Sequence, residues 1–141
     1  MNLEPLSEVI VERALGKLGL EFFRDDRDML NLQMPNARTL FVFGEGLLTL
    51  RTLWNGTIAE EDQARAVELL NGINAQTPTG RVIPVINIED NPAVEFREHY
   101  FLNPGVDVGQ LVLIFDAYFS IMTSIFDELE SVFPAVDEGE S

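Results

Sequence analysis

Residues 30–54 read LNLQMPNARTLFVFGEGLLTLRTLW, and the period of this stretch decides the fold. Leu30, Leu32 and Met34 alternate with Asn31 and Gln33, as the side chains of a half-buried strand do. Pro35-Asn36 punctuates the run, and Gly44-Glu45-Gly46 makes a second short turn between Thr39–Phe43 and Leu47–Trp54. Turns this short join antiparallel strands. In the last strand Leu48, Leu50 and Trp54 share one face, with Thr49 and Arg51 on the other. The period of two extends back to Leu20, through an earlier turn at Asp25-Asp26-Arg27-Asp28. Phe22, Phe23, Phe41, Phe43 and Trp54 alternate along these strands and read mostly as core. Thr39–Phe43, however, is apolar on both faces, so either helices cover both sides of the sheet or one side is a docking surface.

Helical patterns flank this meander. Upstream, Ile10, Ala14 and Leu18, with Val11 and Leu15 beside them, form one stripe, and Glu8, Glu12 and Arg13 lie off it. Pro5 suits a first helical position and Gly19 a residue just past the end, which predicts a helix over Pro5–Leu18. Downstream, Thr57-Ile58-Ala59-Glu60 reads as a capping box opening a second helix. Ala59, Ala66, Val67, Leu70 and Ile73 are its expected buried stripe, and Asn71-Gly72-Ile73-Asn74 its expected end. Strands over Arg81–Ile88 and Ala93–Leu102 follow, joined by Glu89-Asp90-Asn91-Pro92. Pro84 cannot donate to a ladder and belongs at an edge or a bulge.

The third helix starts at a capping-box-like Asp107-Val108-Gly109-Gln110 and reaches Phe133, before Pro134. Leu111, Ile114, Phe115, Tyr118, Phe119, Ile121, Met122, Ile125, Phe126 and Leu129 fall in one arc about 160° wide, broader than the ~100° a surface helix needs. Asp116, Ser120, Thr123, Asp127 and Ser131 take the opposite side. Twelve of the sixteen residues Leu111–Phe126 are apolar, but Asp116 and the absence of flanking Lys or Arg argue against a membrane span. The stripe is either a core helix lying across the sheet or a core helix whose edge also meets a partner. On the second reading we expect a protein interface at Phe115, Tyr118, Phe119, Met122 and Phe126, and a homodimer.

The chain has 141 residues, no cysteine and a formal charge of −15. That is one domain's length, assigned to residues 1–134, with 135–141 as an acidic flexible tail. Lacking thiols, it has no disulfide and no cysteine chemistry. The acid is concentrated: Glu98–Ser141 carries nine acidic residues and no Lys or Arg. Such a balance disfavours nucleic acid and anionic membrane as partners, with no basic patch in view, and favours basic clients. Met1–Pro5 lacks the basic start of a secretory signal, so the expected location is cytoplasmic.

Reaction chemistry is hard to place. His99 is the sole histidine, on a strand face shared with Glu95 and Arg97 and opposite Phe96, which suits cross-strand pairing. Gly-x-Ser-x-Gly is absent. Asp25, Asp26 and Asp28 lack the glycine and the distal glutamate of a calcium loop and read as a solvated turn. Gly44-Glu45-Gly46 holds an acid and precedes a strand, unlike a phosphate cradle. No catalytic residue, metal site or cofactor is expected.

The order of elements, the stretch Leu69-Leu70-Asn71-Gly72-Ile73-Asn74 and the long apolar last helix resemble the YbjN-domain family over Leu6–Phe133. That family is labelled as bacterial sensory transduction regulators, and its fold is similar to type III secretion chaperones. The resemblance implies an α+β domain, an antiparallel sheet packed against helices in the order α-β-β-β(β)-α-β-β-α, often dimeric. Chaperone-like folds have three strands before the second helix; here a fourth is counted. The resemblance supplies no catalytic residues. The expected function is a non-enzymatic regulatory or adaptor domain that binds a partner protein and a second copy of itself, with a chaperone-like variant that holds a segment of a client protein. The alternative is a small-molecule binder or small hydrolase with a pocket between the sheet and the last helix, using Glu98, His99 or Tyr100.

Overall fold

The computed structural model describes residues 3–77, 79–87 and 90–133. Six strands form one antiparallel sheet: β1 (Phe22–Arg24), β2 (Leu30–Met34), β3 (Ala37–Gly44), β4 (Leu47–Trp54), β5 (Arg81–Ile86) and β6 (Pro92–Phe101). Their spatial order is β1-β2-β3-β4-β6-β5. The helices are α1 (Glu8–Lys17), α2 (Gln63–Gln76) and α3 (Val108–Val132). The four strands before α2 accord with the longer meander, and both short turns fall where expected, at Pro35-Asn36 and Glu45-Gly46. Pro84 lies on the edge strand β5. Ile88 lies outside the described residues, as does the segment 135–141.

Register sorts the strand residues onto two faces. Ala37, Thr39 and Phe41 on β3 stand beside Trp54, Thr52 and Leu50 on β4, and Thr52 stands beside Phe96 on β6. Against this face lies α3. Phe115 meets Phe41 edge-on at 5.7 Å, and Tyr118 stacks on Phe96 at 5.1 Å. The Tyr118 hydroxyl donates to the Phe96 carbonyl at 3.1 Å, so the Thr52 hydroxyl, at 2.7 Å, donates to Tyr118. Thr39 in turn donates to Thr52 at 2.7 Å. A polar chain inside the core is tolerable because each member has a partner.

Helix ends show where local signals won and lost. The α1 helix closes in a Schellman motif, with Gly19 at φ +72° and the Leu20 N–H on the Leu15 carbonyl. It begins later than Pro5 predicts: Ser7 caps the Ile10 N–H, because Glu4 is held extended by paired backbone bonds to Val106. The Thr57 capping box does not form. Ile58 is buried and its N–H bonds the Pro92 carbonyl, so the chain stays extended through Ala59. A single 3-10 turn, Glu60–Asp62, then leads into α2, whose start has no side-chain cap. Only Ala66, Leu70 and Ile73 of its expected stripe are buried; Ala59 and Val67 are exposed. Nor does it stop at Asn71–Asn74. It continues to Gln76, where the Thr77 hydroxyl donates to the Ile73 carbonyl at 2.7 Å. The predicted capping box of α3 is present, with Asp107 and Gln110 bonding each other's backbone. Among the described residues α3 is the one helix long and apolar enough to cross a membrane, but its apolar stripe packs into the core.

Candidate functional site

The opposite face of the sheet carries no helix among the described residues. On it stand Leu40, Val42, Leu47, Leu53, Ile83 and Val85, all half-buried and none packed against the core cluster. This settles the double apolarity of Thr39–Phe43. Phe41 and Phe43 face the helices, and Leu40 and Val42 face outward.

Polar residues cross this outer face in rows. Arg51 on β4 stands directly beside Arg97 on β6, and Arg97 beside Arg81 on β5. One row over, Leu53, Glu95 and Ile83 are neighbours, and Arg38 pairs with Leu53. Glu95 is buried because two arginines cover it: Arg51 reaches it through two bonds of 3.2 and 3.0 Å, and Arg97 through Nε at 2.7 Å. Like charges directly opposite each other destabilise a sheet, and one carboxylate offsets two of the three arginines. Arg38 and Arg81 have no carboxylate partner among the described residues, and Arg81 bonds the Gly80 carbonyl at 3.0 Å. On the third row His99 Nδ1 meets Thr49 Oγ1 at 2.7 Å, the cross-strand pairing expected of it. The expectation that no basic patch exists is therefore corrected. Four of the nine basic residues stand on this face along β3–β6, where Glu95 is the one acid on the outward side of those four strands.

The stripe on α3 is used within the subunit. Phe115, Tyr118, Met122 and Phe126 are buried in the core, and of the five expected interface residues Phe119 alone is partly exposed. A sheet this wide needs the whole arc, so the surplus apolar surface inferred from the helix by itself is absorbed. Phe22 and Phe23, read as core, are exposed at 37% and 39% on the short edge strand β1.

Glu98, His99 and Tyr100 do not converge in a pocket between the sheet and α3. Successive strand residues alternate faces, which sends Glu98 and Tyr100 to the helix side and His99 outward. All three instead line a shallow hollow of 720 Å³ around the margin of β6, with Gly80, Arg81 and Arg97. Burial, and then the neighbouring Glu98 carboxylate, pushes the Tyr100 phenol well above its ordinary range. A second hollow of 370 Å³, mostly apolar, lies between α2 and β5 against Ala66, Leu70, Pro84 and Val94. Asp25 is occupied locally. Its carboxylate accepts from the Arg27 and Met29 N–H groups and from Asn31, and these bonds, that of Met29 foremost, hold it below the usual carboxylate range. No group of three or more potential metal ligands occurs among the described residues.

An antiparallel sheet clothed by helices on one face and carrying a charged, apolar-flanked surface on the other defines a small, one-sided α+β domain. The chain belongs to the YbjN family, described as "putative bacterial sensory transduction regulator", whose model matches residues 7–131. It is similar in fold to the crystal structure of "YbjN, a putative transcription regulator from E. coli", with a TM-score of 0.79 at 14% identity, over 92% of this chain and 96% of that one. It is also similar to an uncharacterised protein from Methanothermobacter thermautotrophicus, with a TM-score of 0.51 at 14% identity, over 87% and 99% of the two chains. Among curated proteins, none matches this chain.

Proposed function

We propose that this chain is a cytoplasmic regulatory adaptor that binds a partner protein on the helix-free face of its sheet and has no chemistry of its own. The observation that carries the reading is that face: Leu40, Val42, Leu53 and Ile83 stay half-exposed and unpacked, in a fold where every member of the α3 stripe lies in the core or packs against it. Apolar area left open on a small domain marks an interaction site. The family description, a sensory transduction regulator, agrees with action through binding. A chaperone-like role, holding a segment of a client, would use the same surface.

The test is site-specific photo-crosslinking in a bacterial host that expresses the full chain, with the crosslinker at Val42 on the outer face or at Asp116 on the exposed side of α3. Protein adducts should form from position 42 and not from position 116. Adducts from 116 alone, or from neither position, would remove the outer face from the account.

A further inference from the structure

The margin of β6 extends the proposed binding reading, on which this inference rests, to the chemistry of the partner. Val82 on β5 donates its N–H to the Asn74 side-chain oxygen at 2.8 Å, and its C=O accepts from the Asn74 amide nitrogen at 2.9 Å. Its backbone therefore points away from β6. Antiparallel strands alternate in this respect, so Arg81, Ile83 and Val85 turn toward β6, and their partners Arg97, Glu95 and Ala93 turn toward β5. Two steps further along β6, His99 and Phe101 turn the same way. There β5 has already ended: the ladder stops at Arg81 opposite Arg97, and Gly80, at φ +79°, bends the chain aside onto the ring of Phe96. The backbone groups of His99 and Phe101 thus face no strand among the described residues. Both side chains are exposed, Phe101 at 81%, and the 720 Å³ hollow runs along this margin.

The β5 edge next to this gap is closed to pairing at Val82 and Pro84. Asn74 satisfies Val82, and Pro84, next in the same phase, has no N–H. A segment adding to this sheet edge is directed to the gap beside His99 and Phe101. Its side chain opposite His99 would lie on the outer face about 7 Å along the strand line from Arg81, at two residues' rise, with Arg97 diagonal to it. Arg81 has no carboxylate partner among the described residues, and Arg97 shares one with Arg51. The next side chain would turn into the hollow, toward Glu98 and Tyr100, where a second carboxylate would be repelled by Glu98.

We propose that the gap beside His99 and Phe101 takes an extended peptide segment of a partner protein, as an added strand whose outward side chains are acidic and whose inward ones are apolar. Charge complementarity at this margin favours an acidic segment, the opposite of what the net charge of −15 favours. The same net charge repels a long polyanion at a distance, so a short acidic peptide suits the site better than a nucleic-acid strand.

The experiment uses the full chain, 15N-labelled, and a blocked eight-residue peptide alternating Glu and Val. A Lys–Val counterpart, an oligothymidylate and inorganic phosphate are run beside it. The Glu–Val peptide is expected to bind at least about tenfold more tightly than the Lys–Val peptide, with the largest amide shifts at His99 and Phe101. Arg81→Glu, at an exposed position, should weaken it by about tenfold without changing the melting temperature. Phe101→Pro, which removes one edge N–H, should abolish the shift at His99. Equal binding of the Lys–Val peptide, tighter binding of the oligothymidylate or of phosphate, shifts confined to α2 or α3, or no binding of the Glu–Val peptide would each overturn the proposal. If the peptide fails while Val42 still crosslinks to a partner, the strand-addition proposal falls and the outer-face reading stands.

Discussion

Truncating Phe115 to alanine separates a core helix from an interface helix. The side chain is 0% exposed, lies edge-on to Phe41 at 5.7 Å and sits 6.3 Å from the ring of Phe119. Its removal takes away the transfer free energy of a buried ring and leaves a cavity, together about 3–5 kcal/mol. Of this, the edge-on pair with Phe41 contributes about 0.5–1.5 kcal/mol. For a domain of this size about 3–4 °C accompanies each kcal/mol, so the melting temperature should fall by roughly 9–20 °C. Phe119→Ala, at a half-buried site on the same helix, should cost less than half as much. Urea unfolding at two protein concentrations a hundredfold apart provides the assay, because a core loss is independent of concentration and an interface loss is not. A loss below about 1 kcal/mol, or one that vanishes on dilution, would refute the placement of α3 inside the subunit.

Two further outcomes follow from the tyrosines. Tyr118→Phe leaves the Thr52 hydroxyl without its acceptor and the Phe96 carbonyl without this donor, a loss of about 1–3 kcal/mol by urea titration. A change of a few tenths would mean the polar chain is not formed. Burial raises both tyrosine phenols above their ordinary value, the Tyr118 phenol chiefly by desolvation and the Tyr100 phenol by desolvation and then Glu98. The fold thus favours the neutral phenol, so this stabilisation is complete below the unfolded value near pH 10 and declines as pH rises further. Absorbance at 295 nm should show neither phenol ionising before the alkaline unfolding transition. A reversible titration near pH 10 in the folded protein would contradict it.

The parts of the fold visible in the sequence were those set by local physics. Alternation at Leu30–Met34, the turns at Pro35-Asn36 and Glu45-Gly46, Gly19 after α1, the Asp107 capping box and Pro84 at an edge all depend on residues close in the chain. The second helix failed where a distant contact intervened. Thr57 heads a good capping box, but Ile58 is drawn to the Pro92 carbonyl and into the core, and the cap is lost. The candidate site failed for the same kind of reason. Arg51, Arg81 and Arg97 are far apart in sequence, and they form a row because β6 inserts between β4 and β5. Alternation alone could place each arginine on the side opposite its apolar neighbours, but not that these sides coincide. The stripe of α3 is wider than a surface helix needs, and its members lie in the core or pack against it. What the helix alone could not show was that a six-stranded sheet would absorb the excess.

On the proposed function the sheet has one face clothed by helices and an opposite face that meets the partner. Photo-crosslinking from Val42, repeated in a Leu40→Glu background, tests this most directly: the new charge stands beside Arg51 on the outer face and touches no core residue. Adducts from Val42 that disappear in the Leu40→Glu chain, with the melting temperature unchanged, are the predicted result. Adducts that persist unchanged in that chain, or that arise from Asp116 instead, would contradict it.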